Sequence, residues 1–210
     1  MPRIKPAFIA ALSGALALGA CAGPYTGPVE ITRFVSPQQA MLGKGTIRVV
    51  LGDGAPDDLA RTGFVTAVSQ ELTRLGYTVV PADRTSEQVA TLRTSRQPIA
   101  GPQQGQRGPV SVGVGGQTGG FGSGVGMGVG FNLGGGQRGP NVNTELFVRI
   151  DDAAGKSLWE GRAQIATAVK SPYSQVGLSA RTLARGLFKD FPGGNGETVT
   201  IKAQELQPAS

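Results

Sequence analysis

The stretch that decides the fold is residues 143–165, NTELFVRIDDAAGKSLWEGRAQI. It holds two runs with β-branched and aromatic residues, 143–151 and 157–165, which are separated by the polar turn Asp152-Ala153-Ala154-Gly155-Lys156. Two such runs around a short turn predict a β-hairpin. We place Phe147 and Trp159 of this hairpin in the core, beneath a helix.

Upstream of the hairpin, the sequence predicts a βαβ unit. Residues 46–51 and 77–80 are compact runs typical of strands. Pro56 suits the first position of a helix between them, and Gly76 suits its end. Strand, helix and strand at this spacing predict parallel strands with a helical crossover. Apolar residues at mostly three- and four-residue steps give the helix one apolar face: Leu59, Val65, Val68, Leu72 and Leu75.

The other predicted elements are strands at 29–35, 87–93 and 197–202, a second helix at 174–191, and an exposed loop at 95–109. The fold prediction is therefore α+β: a mixed, mainly antiparallel sheet with two helices packed on one face, plus a Gly-rich hairpin. The second helix has an apolar side made of Val176, Ala180, Leu183, Leu187 and Phe191.

The Gly-rich region at 109–136 alternates glycine with apolar residues. A period of two predicts a strand hairpin, although glycine inside a strand weakens it. A glycine loop without regular structure is a second interpretation. A third is a membrane helix-packing motif, from the spacing of Gly122, Gly126 and Gly130.

The N-terminus predicts an export signal. Arg3 and Lys5 form a positive start, and an apolar run follows at 7–18. A helix needs about 20 apolar residues to span a bilayer, so this run is too short. A short apolar run followed by small residues is typical of a secretory signal peptide. The next stretch resembles the lipobox of bacterial lipoproteins: Leu18, Gly19, Ala20 and Cys21.

The lipobox resemblance implies that Cys21 is the lipid-bearing first residue of the mature protein. In such lipoproteins the thiol is diacylated, the signal is cut before the cysteine, and the new amine is acylated. A plain signal peptide with an incidental cysteine is the alternative. Ala22, rather than aspartate, follows Cys21, and by the sorting rule of such lipoproteins this favours the outer membrane, facing the periplasm. Because Cys21 is the only cysteine, no intramolecular disulfide can form.

Several local strings resemble the lipoproteins of domain-of-unknown-function family 4136. They are the strand at 29–35, the stretch 67–77 that ends in Leu-Gly-Tyr, the glycine-alternating hairpin, the string 158–161 (LWEG) and the string 187–192 (LFKDFP). The resemblance covers about residues 28–203, implies a compact α+β domain and brings no catalytic residues. The predicted organisation is a signal peptide at 1–20, a lipidated tether at 21–27, this domain at 28–203 with a Gly/Pro/Gln-rich loop and hairpin at 95–140, and a tail at 204–210.

The composition excludes several kinds of chemistry. The chain has no histidine, which removes Ser-His-Asp catalysis and histidine zinc sites, and its one cysteine is assigned to lipid. Residues 134–139 (GGGQRG) match a dinucleotide-binding pattern formally, but Pro140 and a strand follow where a helix is required. Residues 155–157 resemble the end of a P-loop, but they belong to the hairpin turn.

The charged residues leave two alternatives open. Carboxylates at Asp53, Asp57 and Asp58 are explained by a turn and a helix start, or by the paired acids of a hydrolase. Asp151 and Asp152 are predicted turn residues. A cationic face on the second helix is either solvated or meets lipid head groups, and it consists of Arg181, Arg185 and Lys189.

Net charge adds a weak indication of partners. Removing Arg3 and Lys5 from the 20 basic residues leaves 18 against 14 acidic, a net charge of +4. This excess fits either a preference for anionic lipid or polysaccharide surfaces, or simply a basic soluble surface.

The functional expectation is a lipid-anchored envelope protein without enzymatic activity, acting by binding or structural support. Its expected partners are the membrane, through the N-terminal lipid, and an unknown envelope protein or polysaccharide. We expect no nucleic acid, cofactor or metal. The alternatives are a carboxylate-dependent envelope hydrolase and a Gly-zipper membrane oligomer.

Overall fold

The structure is a computed structural model that describes residues 23–52, 59–99 and 141–207. Its strands and helices are β1 (Thr26–Val35), β2 (Thr46–Leu51), α1 (Leu59–Arg74), β3 (Thr78–Val80), β4 (Gln88–Ile99), β5 (Asn141–Asp152), β6 (Ser157–Ala168), α2 (Val176–Phe188) and β7 (Glu197–Ile201). Short 3-10 turns lie at Gln39–Met41, Pro172–Ser174 and Ala203–Leu206.

The described strands form one seven-stranded sheet in the order β3-β2-β4-β5-β6-β1-β7. β2 pairs in parallel with β3 and β4, and the remaining pairs are antiparallel. The predicted hairpin is β5 and β6, with Leu146 opposite Ala163. The predicted βαβ unit is β2, α1 and β3. The mixed, mainly antiparallel sheet is therefore confirmed.

Both helices pack on one face of this sheet and share one core with it. Alternate strand residues such as Ile31, Leu146 and Ile165 are fully buried in one cluster with Leu72 of α1 and Leu183 of α2. This follows from the period of two, which sends every second side chain to the same face. Burial of such apolar surface is the main favourable term in folding.

The two helices run in the same direction. Gly63 lies near Val176 at their beginnings, and Glu71 meets Arg185 near their ends. The register places Thr26, Asn141 and Ala168 at one end of the sheet, which we call the tether end. The opposite end carries the β5–β6 turn, and we call it the turn end. α2 begins beside the tether end, after β6 and the 3-10 turn at Pro172–Ser174.

Some boundaries differ from the prediction. The loop prediction is wrong for residues 95–99, because they continue β4 and pair with β5 from Ser95–Glu145 to Ile99–Asn141. Pairing with β5 overrides the weak strand preference of this mostly polar run. The second helix is shorter than predicted and ends at Phe188, since Asp190 takes a left-handed backbone conformation with φ of 55°.

The core differs from the prediction in two places. Trp159 is buried as predicted, but Phe147 is only half-buried and lies on the opposite face of β5 from Leu146, under the guanidinium of Arg93. The prediction of a core position for Phe147 is therefore wrong. On α1, Phe64 and Ala67 join Val68 and Leu72 in the core, while Val65 and Leu75 are only partly buried.

Several predictions lie outside the described residues. They are the glycine hairpin at 109–136, the dinucleotide-like string at 134–139, and the three carboxylates Asp53, Asp57 and Asp58.

Candidate functional site

The lipobox residues Leu18, Gly19, Ala20 and Cys21 also lie outside the described residues. The first described residue is Gly23, two positions after Cys21, and β1 begins at Thr26. The helices in the described part of the chain are too short or too polar to cross a membrane.

The acidic pair at the β5–β6 turn is structural. Asp151 accepts a hydrogen bond from Nε of Arg149 at 2.7 Å. Asp152 Oδ1 accepts from the backbone N–H groups of Ala154 and Lys156, both at 2.9 Å. This is the local side-chain to backbone bonding expected of an aspartate at a turn. The predicted hairpin turn is confirmed for residues 153–156, which follow β5 and precede β6. The prediction of Asp151 and Asp152 as turn residues is wrong, because both end β5 and pair with Val89 and Gln88.

The main polar feature of the core is Arg33, which is only 3% exposed. The alternation of β1 places it on the helix-covered face, on the same side as Ile31 and Val35. Its Nε donates to the carbonyl of Leu187 at 3.1 Å, and one Nη donates to the carbonyls of Gly186 and Lys189 at 3.1 and 2.8 Å. The other Nη meets Glu197 at 3.4 Å, completing a set of contacts that we call the Arg33 clamp.

The Arg33 clamp caps the C-terminus of α2. The last carbonyls of a helix lack partners within the helix, and they form the negative end of its dipole. A guanidinium satisfies both needs because its donors form a planar fork. Burial lowers the pKa of Arg33, while the charges of Glu197 and Asp190 raise it in part. With its donors aimed at protein acceptors, Arg33 is not available to a ligand.

An aromatic cluster closes the same end of α2. The rings of Trp159 and Phe188 stack with centroids 5.4 Å apart, and Phe191 tilts against both at 5.3 and 5.8 Å. The indole N–H donates to the carbonyl of Pro192 at 2.9 Å. Trp159 lies over Gly161 of its own strand, where a Cβ would collide with the indole. These contacts make Trp159 a structural residue.

Ionisable side chains gather in a groove of about 340 Å³ beside the ends of the helices. Glu71 is buried there and meets Arg74 at 2.7 Å and Arg185 at 3.6 Å. Arg185 also donates to the carbonyl of Leu206 at 3.2 Å. The remaining charged residues of its lining are Lys189, Asp190 and Glu205. The groove balances three cations against three acids, and its buried carboxylate joins α1 to α2 rather than facing an open cleft.

The lining of this groove shows how the predicted cationic face of α2 is used. Arg185 is bound to Glu71 and Leu206, so it does not belong to a free cationic surface. The backbone carbonyl of Lys189 accepts from the Arg33 clamp at the far end of α2 from the tether end. Arg181 is exposed. Arg185 and Lys189 line a groove of mixed charge, so Arg181, Arg185 and Lys189 do not form one purely cationic patch.

The tether end carries three cations that form no motif in the sequence. Lys170, Lys202 and Arg96 are exposed there. A second groove, of about 500 Å³, lies between the beginning of β1 and the end of β7, with Thr26 and Lys202 in its lining. These cations come from three distant segments, so only the sheet register reveals that they share one end.

Comparison with known proteins gives no family. No family model matches the chain, and no curated protein matches it. The PelC dodecamer from Paraburkholderia phytofirmans is similar at 10% identity and a TM-score of 0.38, covering 74% of this chain and 91% of that chain. A PDZ domain protein from Parabacteroides distasonis is similar at 14% identity and a TM-score of 0.44, covering 84% of this chain and 38% of that chain. Neither likeness carries a functional argument, and the resemblance to family 4136 stays a prediction.

Proposed function

We propose that the protein is a lipid-anchored envelope protein without enzymatic activity, attached through Cys21 and acting by binding or structural support. The observation that carries this proposal is the string Leu18-Gly19-Ala20-Cys21, which contains the only cysteine and ends five positions before β1. We further propose the outer membrane as its location, with the domain in the periplasm, and kinship with family 4136.

The charges of the described part support a role without catalysis. Its two buried charged side chains are Arg33 and Glu71. The first caps a helix and the second joins two helices, so both are explained by the fold. Catalytic acids and bases are typically marked by environments that shift their pKa in a cleft. The buried Arg33 and Tyr77, whose pKa values depart from the usual, serve the core instead.

Simple energetics support the anchor. Each buried methylene of an acyl chain contributes about 0.8 kcal/mol, and a single chain gives only marginal binding. The lipobox resemblance implies three chains, which is enough for stable attachment with no other membrane segment.

The anchor is tested by growing cells with an alkyne-bearing fatty acid and measuring label on the purified full-length chain. We expect label on the wild type and none on Cys21→Ser, because that variant lacks the thiol. Ser13→Ala, a change within the predicted signal, serves as the matched control and should keep the label. An unlabelled wild type, or label that persists on Cys21→Ser, would contradict the proposal.

The location is tested separately with Ala22→Asp. By the sorting rule, we expect this variant to move from the outer-membrane fraction to the inner-membrane fraction after density-gradient separation. Ala22→Ser is the control and should stay with the outer membrane. Recovery of the wild type with the inner membrane would refute the location without affecting the anchor.

A further inference from the structure

The first step concerns how far the domain can stand from its anchor. Tyr25 and Thr26 are fixed to the sheet, since the Tyr25 carbonyl accepts from the Ala168 N–H at 2.9 Å and the Thr26 hydroxyl bonds that of Ser171 at 2.7 Å. An extended chain spans at most about 3.3–3.6 Å per residue, so the five steps from Cys21 to Thr26 reach about 17 Å. An anchor at Cys21 would therefore hold the tether end close to the membrane.

The second step concerns the charge of that end. Among the described residues, the exposed ionisable side chains of this end are Arg96, Lys170 and Lys202. From the level of Arg96 outward, the segments 23–29, 96–99, 141–144, 165–178 and 201–204 contain no acid, and the next level inward carries Glu30 and Glu145. Val169, which neighbours Lys170, is 51% exposed. The turn end differs because it mixes signs, with Asp152 beside Lys156 at the β5–β6 turn.

We propose that the tether end is a docking surface for anionic phospholipid head groups. Lys170, Lys202 and Arg96 face the lipid phosphates, and Val169 reaches the interface. This inference rests on the proposed anchor at Cys21. The charges are complementary, and the short tether keeps them near the surface, where the screening length is about 10 Å at 0.1 M salt. Each basic residue near an anionic membrane surface favours the docked state about fivefold.

The test uses the acylated full-length protein, reconstituted in vesicles whose head groups carry a fluorescence quencher. Because acylation consumes the thiol of Cys21, an introduced cysteine is the only free thiol and takes a fluorophore. Val169→Cys labels the tether end, and Ala154→Cys at the exposed turn end is the matched control. On vesicles with about one third phosphatidylglycerol, we expect quenching at position 169 to exceed that at position 154 several-fold.

The charge dependence is measured in three ways. Three changes should each reduce the difference in quenching between positions 169 and 154. The first replaces phosphatidylglycerol by phosphatidylcholine, and the second raises salt to 1 M, where the screening length shortens to about 3 Å. The third is the double variant Lys170→Gln with Lys202→Gln. Two lost cations correspond to about a 25-fold smaller equilibrium constant for docking. Lys156→Gln at the turn end should leave the difference unchanged. The lipid and salt comparisons use native lysines, so they stand even if the double variant folds poorly.

The outcomes separate the two proposals. Equal quenching at positions 169 and 154 on protein whose mass includes the acyl groups overturns the docking surface and leaves the anchor intact. Stronger quenching at position 169 that does not depend on lipid charge or salt also overturns the docking surface, since the tether alone then explains the proximity. A protein mass without acyl groups refutes the anchor itself.

Discussion

Removal of the Arg33 clamp should cost a large part of the stability of the domain. Arg33→Met keeps an apolar stem of similar length but leaves the carbonyls of Gly186, Leu187 and Lys189 without their charged donor. Hydrogen bonds to charged groups contribute about 1.5–3 kcal/mol each, and breaking a buried ion pair costs about 3–5 kcal/mol. Methionine also removes the cost of burying a charge, so we expect a loss of about 3 kcal/mol for Arg33→Met.

Two further variants separate capping from ion pairing. Arg33→Lys retains the charge, but one ammonium cannot reproduce the planar fork that reaches three carbonyls, so we expect a loss of about 2 kcal/mol. Glu197→Gln removes only the charge of a partner that is 42% exposed and 3.4 Å away. Partly exposed pairs of this kind contribute about 0–1 kcal/mol, so this variant should stay within about 1 kcal/mol of the wild type.

The assay is urea unfolding of the purified protein, followed by circular dichroism and Trp159 fluorescence. A change in midpoint with an unchanged slope reports stability alone. A domain of this size shifts its Tm by about 2–4 °C per kcal/mol, so Arg33→Met should melt about 10 °C lower. The capping argument is refuted if Arg33→Met is as stable as the wild type, or if Glu197→Gln costs as much as Arg33→Met.

Three other predictions follow from the core. Thr144→Val and Thr167→Val should each raise the free energy of unfolding by about 1 kcal/mol, because both hydroxyls are buried without a hydrogen-bond partner among the described residues. Chemical denaturation measures this change, and a loss of stability in both variants would contradict the prediction. Gly161→Ala should cost about 2–3 kcal/mol in the same assay, since its Cβ would strike Trp159 and come within 2.8 Å of Leu187 Cδ1; a neutral effect would show that the indole moves freely. Burial raises the pKa of Tyr77 above its ordinary value of 10.0, so the folded state resists deprotonation of this residue. The stabilising contribution is complete below pH 10 and is lost as pH rises through the raised pKa, so Tyr77→Phe should flatten the fall of Tm above pH 10.

Much of the fold could be predicted because local patterns specify it. The β5–β6 hairpin and the βαβ unit follow from short apolar runs between turn residues. The alternation of β1 also indicates that Arg33 is buried, since it falls on the same side of the strand as Val29, Ile31 and Val35. An arginine in an otherwise apolar stripe needs a buried acceptor, and the ends of helices supply acceptors.

The prediction was wrong at the end of β4 and at Phe147. Residues 95–98 are three polar residues and Pro98, so only Ile99 favours a strand locally, yet β5 pairs with all of residues 95–99. Phe147 shares its face with Glu145 and Arg149, while Leu146 shares its face with Val148 and Ile150. Full use of the period of two would therefore have placed Phe147 outside the core.

The charged clusters depend even more on tertiary structure. Glu71 and Arg185 are joined by helix packing, and the cations at the tether end are joined by strand register. Arg96, Lys170 and Lys202 lie on three segments whose proximity no local motif records. A sequence can therefore indicate an anchor more readily than the surface that the anchor would bring to a membrane.

The position of β1 links the proposed anchor to the Arg33 clamp. β1 is the first strand after Cys21, and it is paired on both sides, with β6 and with β7. A strand in the interior of a sheet opens only when two ladders break, whereas an edge strand opens when one does. Its buried side carries Val29 and Ile31 near the tether end and Arg33 further along, where the clamp fixes α2. A pull on the tether would thus be resisted by both ladders and by the helix contacts together, so the same strand that leads to the proposed anchor also ties sheet and helices into one unit.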